Sequence, residues 1–315
     1  MDFMPFLLSN FKLYTHKPDG RWITFLIGIS LILFFSQSFT TGTTGPTLAQ
    51  KKVVFIAGSC SHGRGEHEYK AGCLLLAKQL TQHIPSLQVQ VYTDGWPADP
   101  NAFSNVAAVI LFADGGEANM INSHLQELND LTKKGVGLAC IHYAIEVPKG
   151  APGNHLLNWL GGYFETYWSV NPVWTADFKT MPNHPITRGV KPFTIRDEWY
   201  YHMRFRADMA GVTPILTAVP PASTLTRPDG PHSNNPYVRA EKGKPQVVAW
   251  CRERPDGGRG FGITGGHYHS VWADDNYRKL VLNAITWLAK VDVPTGGVRS
   301  RTPARAEMES NQCDK

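Results

Sequence analysis

The sequence predicts an α/β protein built on an open, mostly parallel sheet with helices on both faces, a three-layer α/β/α sandwich. Three observations point there. Val53 to Gly58, VVFIAG, is an unbroken β-branched and apolar run closed by glycine, as strands buried on both faces are. Runs of that kind alternate with segments whose apolar residues recur at helical spacing. The connections are short, as in sheets wound through crossover helices.

After the first strand comes the loop SCSHGRGEHEY, then a helix from Lys70 to Leu80 in which Ala71, Leu74, Leu75 and Ala77 to Leu80 recur at helical spacing. LQVQVY (87–92) and VAAVILFA (106–113) read as strands, 119–133 as a helix closed by Gly135, and VGLACIHYA (136–144) as a strand. From 151 to 245 proline and aromatic density rises and periodicity weakens, with strands expected only near 173–178 and 212–219. That stretch reads as an insertion laid over the sheet edge, within one domain spanning 51–293. QVVAWCRE (246–253) and GRGFGITGG (258–266) restore regular structure. A last helix over 274–290 presents Tyr277, Leu280, Val281, Ala284, Ile285 and Leu288 on one face. The polar stretch 294–315 is expected to be a flexible tail.

Residues 22–35, WITFLIGISLILFF, are uncharged and follow Lys12, Lys17 and Arg21, the layout of an export signal. Extended through Phe39 the run suffices for a tilted, uncleaved anchor. Residues 1–50 are therefore expected to be a signal peptide or membrane anchor plus a TTGTTGPT linker, and the protein to be exported and periplasmic. Any membrane contact would be confined to 22–39.

Composition narrows the function. A net charge of +5 is small for 315 residues, and Arg252, Arg254 and Arg259 are interleaved with Glu253 and Asp256, so no basic stripe exists to track phosphates. Nucleic acid is not an expected partner. Five scattered cysteines give no disulfide scaffold and no C-x-x-C zinc pair. Cys60, Cys140 and Cys251 adjoin apolar runs and read as buried, leaving Cys313 unpaired in the tail. No P-loop or G-x-G-x-x-G follows the first strand, so no motif requires a nucleotide cofactor.

Histidines fall just past three expected strands: His62 and His67 in SHGRGEHEY, His142 in CIHYA, and His267 and His269 in GGHYH. In a parallel sheet those ends lie along one edge, where ligands bind, and imidazole serves both proton transfer and metal ligation. A single loop histidine is usually surface decoration; sets at matching topological positions point to a site. In RDEWYYH (196–202), carboxylates beside three aromatics suit a sugar site, or else a strand with Trp199 and Tyr201 in the core and Glu198 and Tyr200 outside.

VVFIAG with SHGRGEHEY, GLACIHYA, DEWYYH, and GGHYHSVW before the last helix together resemble the ThuA-like family, named for trehalose utilisation, over about Lys51 to Lys290. The resemblance implies a class I glutamine amidotransferase-like, flavodoxin-like sheet and a role in carbohydrate catabolism through keto sugars. In glutamine amidotransferases a cysteine occupies the turn after the fourth strand and a later H-x-E supplies the base. Here His142 stands in that turn, and His267-Tyr268-His269 replaces the glutamate, so glutaminase activity is not expected.

The expected function is cleavage of oxidised (3-keto) disaccharides or glycosides, by proton abstraction and elimination or by metal-assisted hydrolysis. His142, His267, His62 and Glu68 are the expected catalytic groups, and Glu198, Tyr200, Tyr143, His269 and His67 the substrate-binding ones. His62, His67, His142 and His267 could hold a divalent metal. The alternative is a non-catalytic carbohydrate-binding protein at the cell surface.

Overall fold

The computed structural model describes residues 50–314. The export segment and the TTGTTGPT linker lie outside the described residues, among which no helix is long and apolar enough to cross a membrane.

In chain order the elements are β1 (Lys51–Ala57), α1 (Tyr69–His83), β2 (Leu87–Tyr92), β3 (Val106–Phe112), α2 (Leu125–Lys133), β4 (Gly137–Ile141), α3 (Ala151–Trp159), β5 (Gly162–Tyr163), β6 (Val173–Phe178), β7 (Phe193–Glu198), β8 (Arg204–Phe205), β9 (Val212–Ala218), α4 (Pro236–Ala240), β10 (Gln246–Glu253), β11 (Arg259–Ile263), α5 (Asp275–Leu288) and α6 (Arg305–Glu309). The central sheet has the order β2-β1-β3-β4-β11-β10-β9. Only β10 runs against the others.

Period-two alternation splits each central strand between two cores. Val53, Phe55 and Ala57 of β1, with Ala139 and Ile141 of β4, pack with Leu76 and Leu80 of α1 and Leu280 and Ala284 of α5. Val54, Ile56, Leu138 and Cys140 pack on the opposite face with Leu128 of α2 and Leu156 and Trp159 of α3. Strands flanked this way on both sides must be apolar at every position, which is why β1 and β4 read as continuous runs.

The structure corrects four expectations. The strand expected over 136–144 stops at Ile141, because His142 takes a φ of 52° and turns the chain out of the extended region. The helix expected over 119–133 begins at Leu125, preceded by two 3-10 turns. Asn119 holds the second of these, accepting from the Ile121 N–H at 3.0 Å and donating to the carbonyls of Ala144 at 3.1 Å and Glu146 at 2.8 Å.

The third correction concerns the insertion: the strands expected near 173–178 and 212–219 are present as β6 and β9, the latter pairing with β10 at the sheet edge, but β5, β7 and β8 form there as well. The rest of it includes the β6–β7 hairpin, whose Trp174, Phe178 and Phe193 join the core beneath α5. Sharing a core is what keeps it from being a separate domain.

Fourth, the tail is tied down. Cys313 forms a disulfide with Cys60, and its N–H donates to Glu68 Oε2 at 2.7 Å. Val298 is buried, with its N–H donated to Asn283 at 2.7 Å. These anchors are a covalent bond and backbone hydrogen bonds, so apolar periodicity carried no sign of them.

Candidate functional site

The carboxyl ends of β1, β3, β4 and β11 are adjacent in the sheet, and the chain reverses its direction of winding between β1 and β3, where open α/β sheets bind ligands. The loop after β1 brings His62 and His67, the end of β3 brings Asp114, the turn after β4 His142 and the turn after β11 His267. The first and last of these segments are fastened by backbone: the His67 N–H donates to the His267 carbonyl and the His269 N–H to the Gly65 carbonyl, both at 2.8 Å. Glu198, at the end of β7, closes the group from the insertion.

Three imidazoles and a carboxylate converge. His67 Nε2 lies 2.8 Å from His267 Nδ1 and 3.2 Å from His142 Nε2. Glu198 Oε2 lies 3.3 Å from His267 Nδ1 and 3.6 Å from His142 Nε2. His142 and His67 are buried, and the His267 and Glu198 side chains keep 12% and 14% of their surface, which leaves the cluster open on their side. The His62 ring lies tilted against that of His67, centroids 3.7 Å apart, at the more exposed edge, and the Tyr143 ring is centred 5.5 Å from that of His67. The donor atoms of His67, His142, Glu198 and His267 lie within 4.8 Å of one another and could hold a metal ion, as could the neighbouring group His62, His67 and Asp114.

The hydrogen-bond network assigns the tautomers. His142 Nδ1 lies 2.6 Å from the Thr264 carbonyl, which only accepts, so that nitrogen carries the proton. Tyr69 gives its hydroxyl proton to Asp114 Oδ1 at 2.6 Å and therefore accepts from His67 Nδ1 at 2.7 Å. Ser61 likewise donates to Asp114 Oδ1 at 2.7 Å and accepts from His62 Nδ1 at 2.8 Å. Through Ser61 and Tyr69, one carboxylate orients two imidazoles.

The local backbone is built for this approach. His67 and His142 have φ values of 49° and 52°, in the left-handed region that costs a non-glycine residue of order 1 kcal/mol or more. Gly266, at φ 125°, lets the next turn pass His142; a Cβ there would sit 3.2 Å from that of His142. Buried Asp197 accepts from the N–H groups of Gly266, Tyr268 and Glu198, and so fixes the His267 turn and the Glu198 strand end together.

Burial dominates the electrostatics. It holds His142 well below the usual imidazole range and lowers His67 as well, so both are neutral at pH 7. Burial opposes protonation of His267 too, but the neighbouring Glu198 carboxylate outweighs it and raises that group. Asp114 moves the other way. Partial burial would raise it, yet bonds from His67, Tyr69 and Ser61 bring it down to about 2. Asp197 is pushed up to about 6 by complete burial.

Of the residues expected from sequence, His62, His67, His142, His267, Glu198, Tyr143 and Tyr200 meet here, and two do not. The Glu68 carboxylate is buried and spent on backbone, accepting from Gly65 at 2.8 Å as well as from Cys313. His269 opens the 3-10 turn after β11, buried and facing the tail near Met308. Neither reading of the aromatics at 199–201, as an exposed sugar platform or as a strand with Tyr200 outside, matches the structure. Trp199, Tyr200 and Tyr201 are all buried, and the Tyr200 hydroxyl lies 3.1 Å from His142 Nε2. Asp114, Tyr69, Ser61 and Asp197 were missed. Asp114 stands just beyond VAAVILFA, the same strand-end position that singled out the histidines, and that signal could have found it.

A three-layer α/β sandwich on a mostly parallel sheet, with an imidazole in the turn after its fourth strand, is the architecture that the ThuA-like resemblance implies. Cys140, two residues earlier, is buried in the packing against α3. The chain belongs to the ThuA family, described as trehalose utilisation, whose profile matches residues 53–288. Among solved structures, a ThuA-like protein from Bacteroides uniformis superposes with a TM-score of 0.51 at 14% identity, over 79% of this chain and 94% of that one. A ThuA-like protein from Parabacteroides merdae gives 0.48 at 16% identity, over 84% and 96%. A glutamine amidotransferase from Thermotoga maritima gives 0.44 at 9% identity, over 76% and 99%. Among curated proteins none matches.

Proposed function

We propose that the protein is an enzyme of carbohydrate utilisation that cleaves 3-keto disaccharides or glycosides by abstracting the proton beside the ketone. The family supplies the carbohydrate context. The observation that favours this chemistry is the relay from Asp114 through Ser61 to His62, which leaves His62 Nε2 unprotonated at the open edge of an otherwise buried imidazole cluster.

In this reading His62 takes the C2 proton and the electron pair passes to the C3 oxygen as an enolate. Collapse of the enolate re-forms the ketone, makes the C1–C2 double bond and expels the C1 oxygen substituent, which is protonated as it leaves. Water adding across the double bond completes a net hydrolysis without an oxocarbenium ion. Tyr143, whose phenol partial burial pushes up to about 12, stays protonated at neutral pH and is placed to supply a proton. His142, one of the expected catalytic groups, is fully buried with its Nδ1 proton committed, so its contribution in this reading is to hold the cluster together.

The same reading puts the protein outside the cytoplasm, supported by the export-type N-terminus and by the Cys60–Cys313 bond, since disulfides persist in oxidising compartments. Incubating the protein with matched native and 3-keto disaccharides tests the function. Monosaccharide released only from the oxidised sugars is the expected result; saturable binding of either with no product would mark a carbohydrate-binding protein.

A further inference from the structure

We infer that His67 Nε2, His142 Nε2, His267 Nδ1 and Glu198 Oε2 form a binding site for one divalent first-row transition-metal ion. The inference stands on geometry and does not depend on the substrate.

The donor spacing fits first. Bonds of roughly 2.0–2.2 Å to nitrogen and oxygen put adjacent ligands of a tetrahedral or octahedral ion about 3.0–3.5 Å apart. Four of the six donor pairs lie 2.8 to 3.6 Å apart, and all six lie within 4.8 Å.

Each ligand ring also has an oxygen behind it. His142 Nδ1 faces the Thr264 carbonyl at 2.6 Å, His67 Nδ1 faces Tyr69 at 2.7 Å with Asp114 beyond, and His267 Nε2 faces Glu66 Oε1 at 3.7 Å. Metal-binding histidines almost always hand their second N–H to a carboxylate, carbonyl or water, which fixes the ring and makes the other nitrogen a better donor. Two of the three rings are hydrogen-bonded in this way and the third has a carboxylate within ion-pair range; with all three aimed inward, the arrangement is costly unless something cationic lies between them.

Protons do not fill that need. With both Nδ1 protons committed, His67 Nε2, His142 Nε2 and the Glu198 carboxylate converge as acceptors. Only the Tyr200 hydroxyl, 3.1 Å from His142, and one proton of His267 are at hand among the described residues. Three imidazoles and one carboxylate suit manganese, iron, cobalt, nickel or zinc; magnesium and calcium prefer all-oxygen sites, and the absence of a thiolate disfavours copper(I). The partial exposure of His267 and Glu198 leaves a side on which a sugar oxygen could complete the coordination, where the ion would polarise the ketone.

The test uses the full chain, stripped with chelator and dialysed against manganese, cobalt or zinc salts. Metal content by mass spectrometry, calorimetric titration and the visible spectrum of the cobalt form are the readouts. One ion per chain is expected. His267→Ala and Glu198→Ala, the less buried pair, should weaken binding at least about 100-fold, more than the ~10–100-fold typical of losing an outer partner. His62→Ala should bind normally. Circular dichroism confirms that each variant is folded. Wild-type protein that retains no stoichiometric ion, or folded His267→Ala and Glu198→Ala chains that bind as tightly as wild type, would overturn the site. None of these readouts involves sugar turnover, so failure of the site is separable from failure of the proposed reaction.

Discussion

His67 Nε2 and His142 Nε2 face each other at 3.2 Å, and neither ring has a proton to put between them. Both Nδ1 atoms are already engaged, one by Tyr69 and one by the Thr264 carbonyl. A fold that holds two neutral imidazoles nose to nose, each at a left-handed φ, is spending stability on a site.

Asp114 sits behind two histidines, so its replacement should have two effects. Asp114→Asn is expected to lower both turnover of 3-keto sugars and metal affinity by about 10–100-fold. Ser61→Ala breaks only the branch to His62 and should lower turnover while leaving metal content intact. Parallel kinetics and metal analysis check this; equal loss of both properties in Ser61→Ala would contradict the branching.

His62→Ala removes the group assigned as base. A positioned base is worth roughly 10²–10⁴ in rate, so kcat should fall by that range with KM little changed. A variant retaining near wild-type kcat on a 3-keto disaccharide would assign the base elsewhere.

The Cys60–Cys313 bond closes a span of 253 residues and adjoins the loop carrying His62 and His67. Cys313→Ser is expected to cost about 2–4 kcal/mol, read as a lower Tm or denaturant midpoint. A mild reductant should reproduce the effect in wild type and do nothing to the variant. Cys73, Cys140 and Cys251 are buried and unpaired, so they offer no competing bond.

Glu165 anchors the insertion: it accepts from Tyr163 at 2.6 Å and binds Arg204 through two bonds at 3.0 and 2.9 Å. Burial alone would raise its carboxyl, but Arg204, Tyr163 and Lys149 bring it from 4.5 down to about 2. Because the folded value is the lower one, the stabilisation is present above pH 4.5 and drains away as pH falls toward about 2. Glu165→Gln should therefore be less stable than wild type at pH 7, by roughly 1.5–3 kcal/mol. Denaturation at a series of pH values should show the gap closing in acid. A gap that is constant down to pH ~2 would contradict the linkage.

Much of the scaffold was readable because burial on both faces writes itself into composition. β1, β3 and β4 are apolar at nearly every position, and α5 carries apolar residues at helical spacing, although the fold buries that helix almost all round. The convergence of His62, His142 and His267 followed from those strands, since topology alone puts their ends together. What remained hidden depends on backbone conformation and single polar contacts. The φ of 52° at His142 cut β4 short of its apolar run. Glu68 looked catalytic among histidines, but its partners are backbone N–H groups that no side-chain pattern announces. Trp199, Tyr200 and Tyr201 are buried in succession because the insertion packs on both sides there, which alternation along one strand does not foresee.

The most direct check of the central claim, that the imidazole cluster at the strand ends is a catalytic centre for oxidised sugars, is time-resolved release of monosaccharide from a 3-keto disaccharide. Metal-loaded wild type is predicted to release it steadily, and folded His62→Ala and Glu198→Ala chains to release it at a small fraction of that rate. Undiminished release by both variants, or none from metal-loaded wild type across a panel of 3-keto disaccharides, would contradict the account.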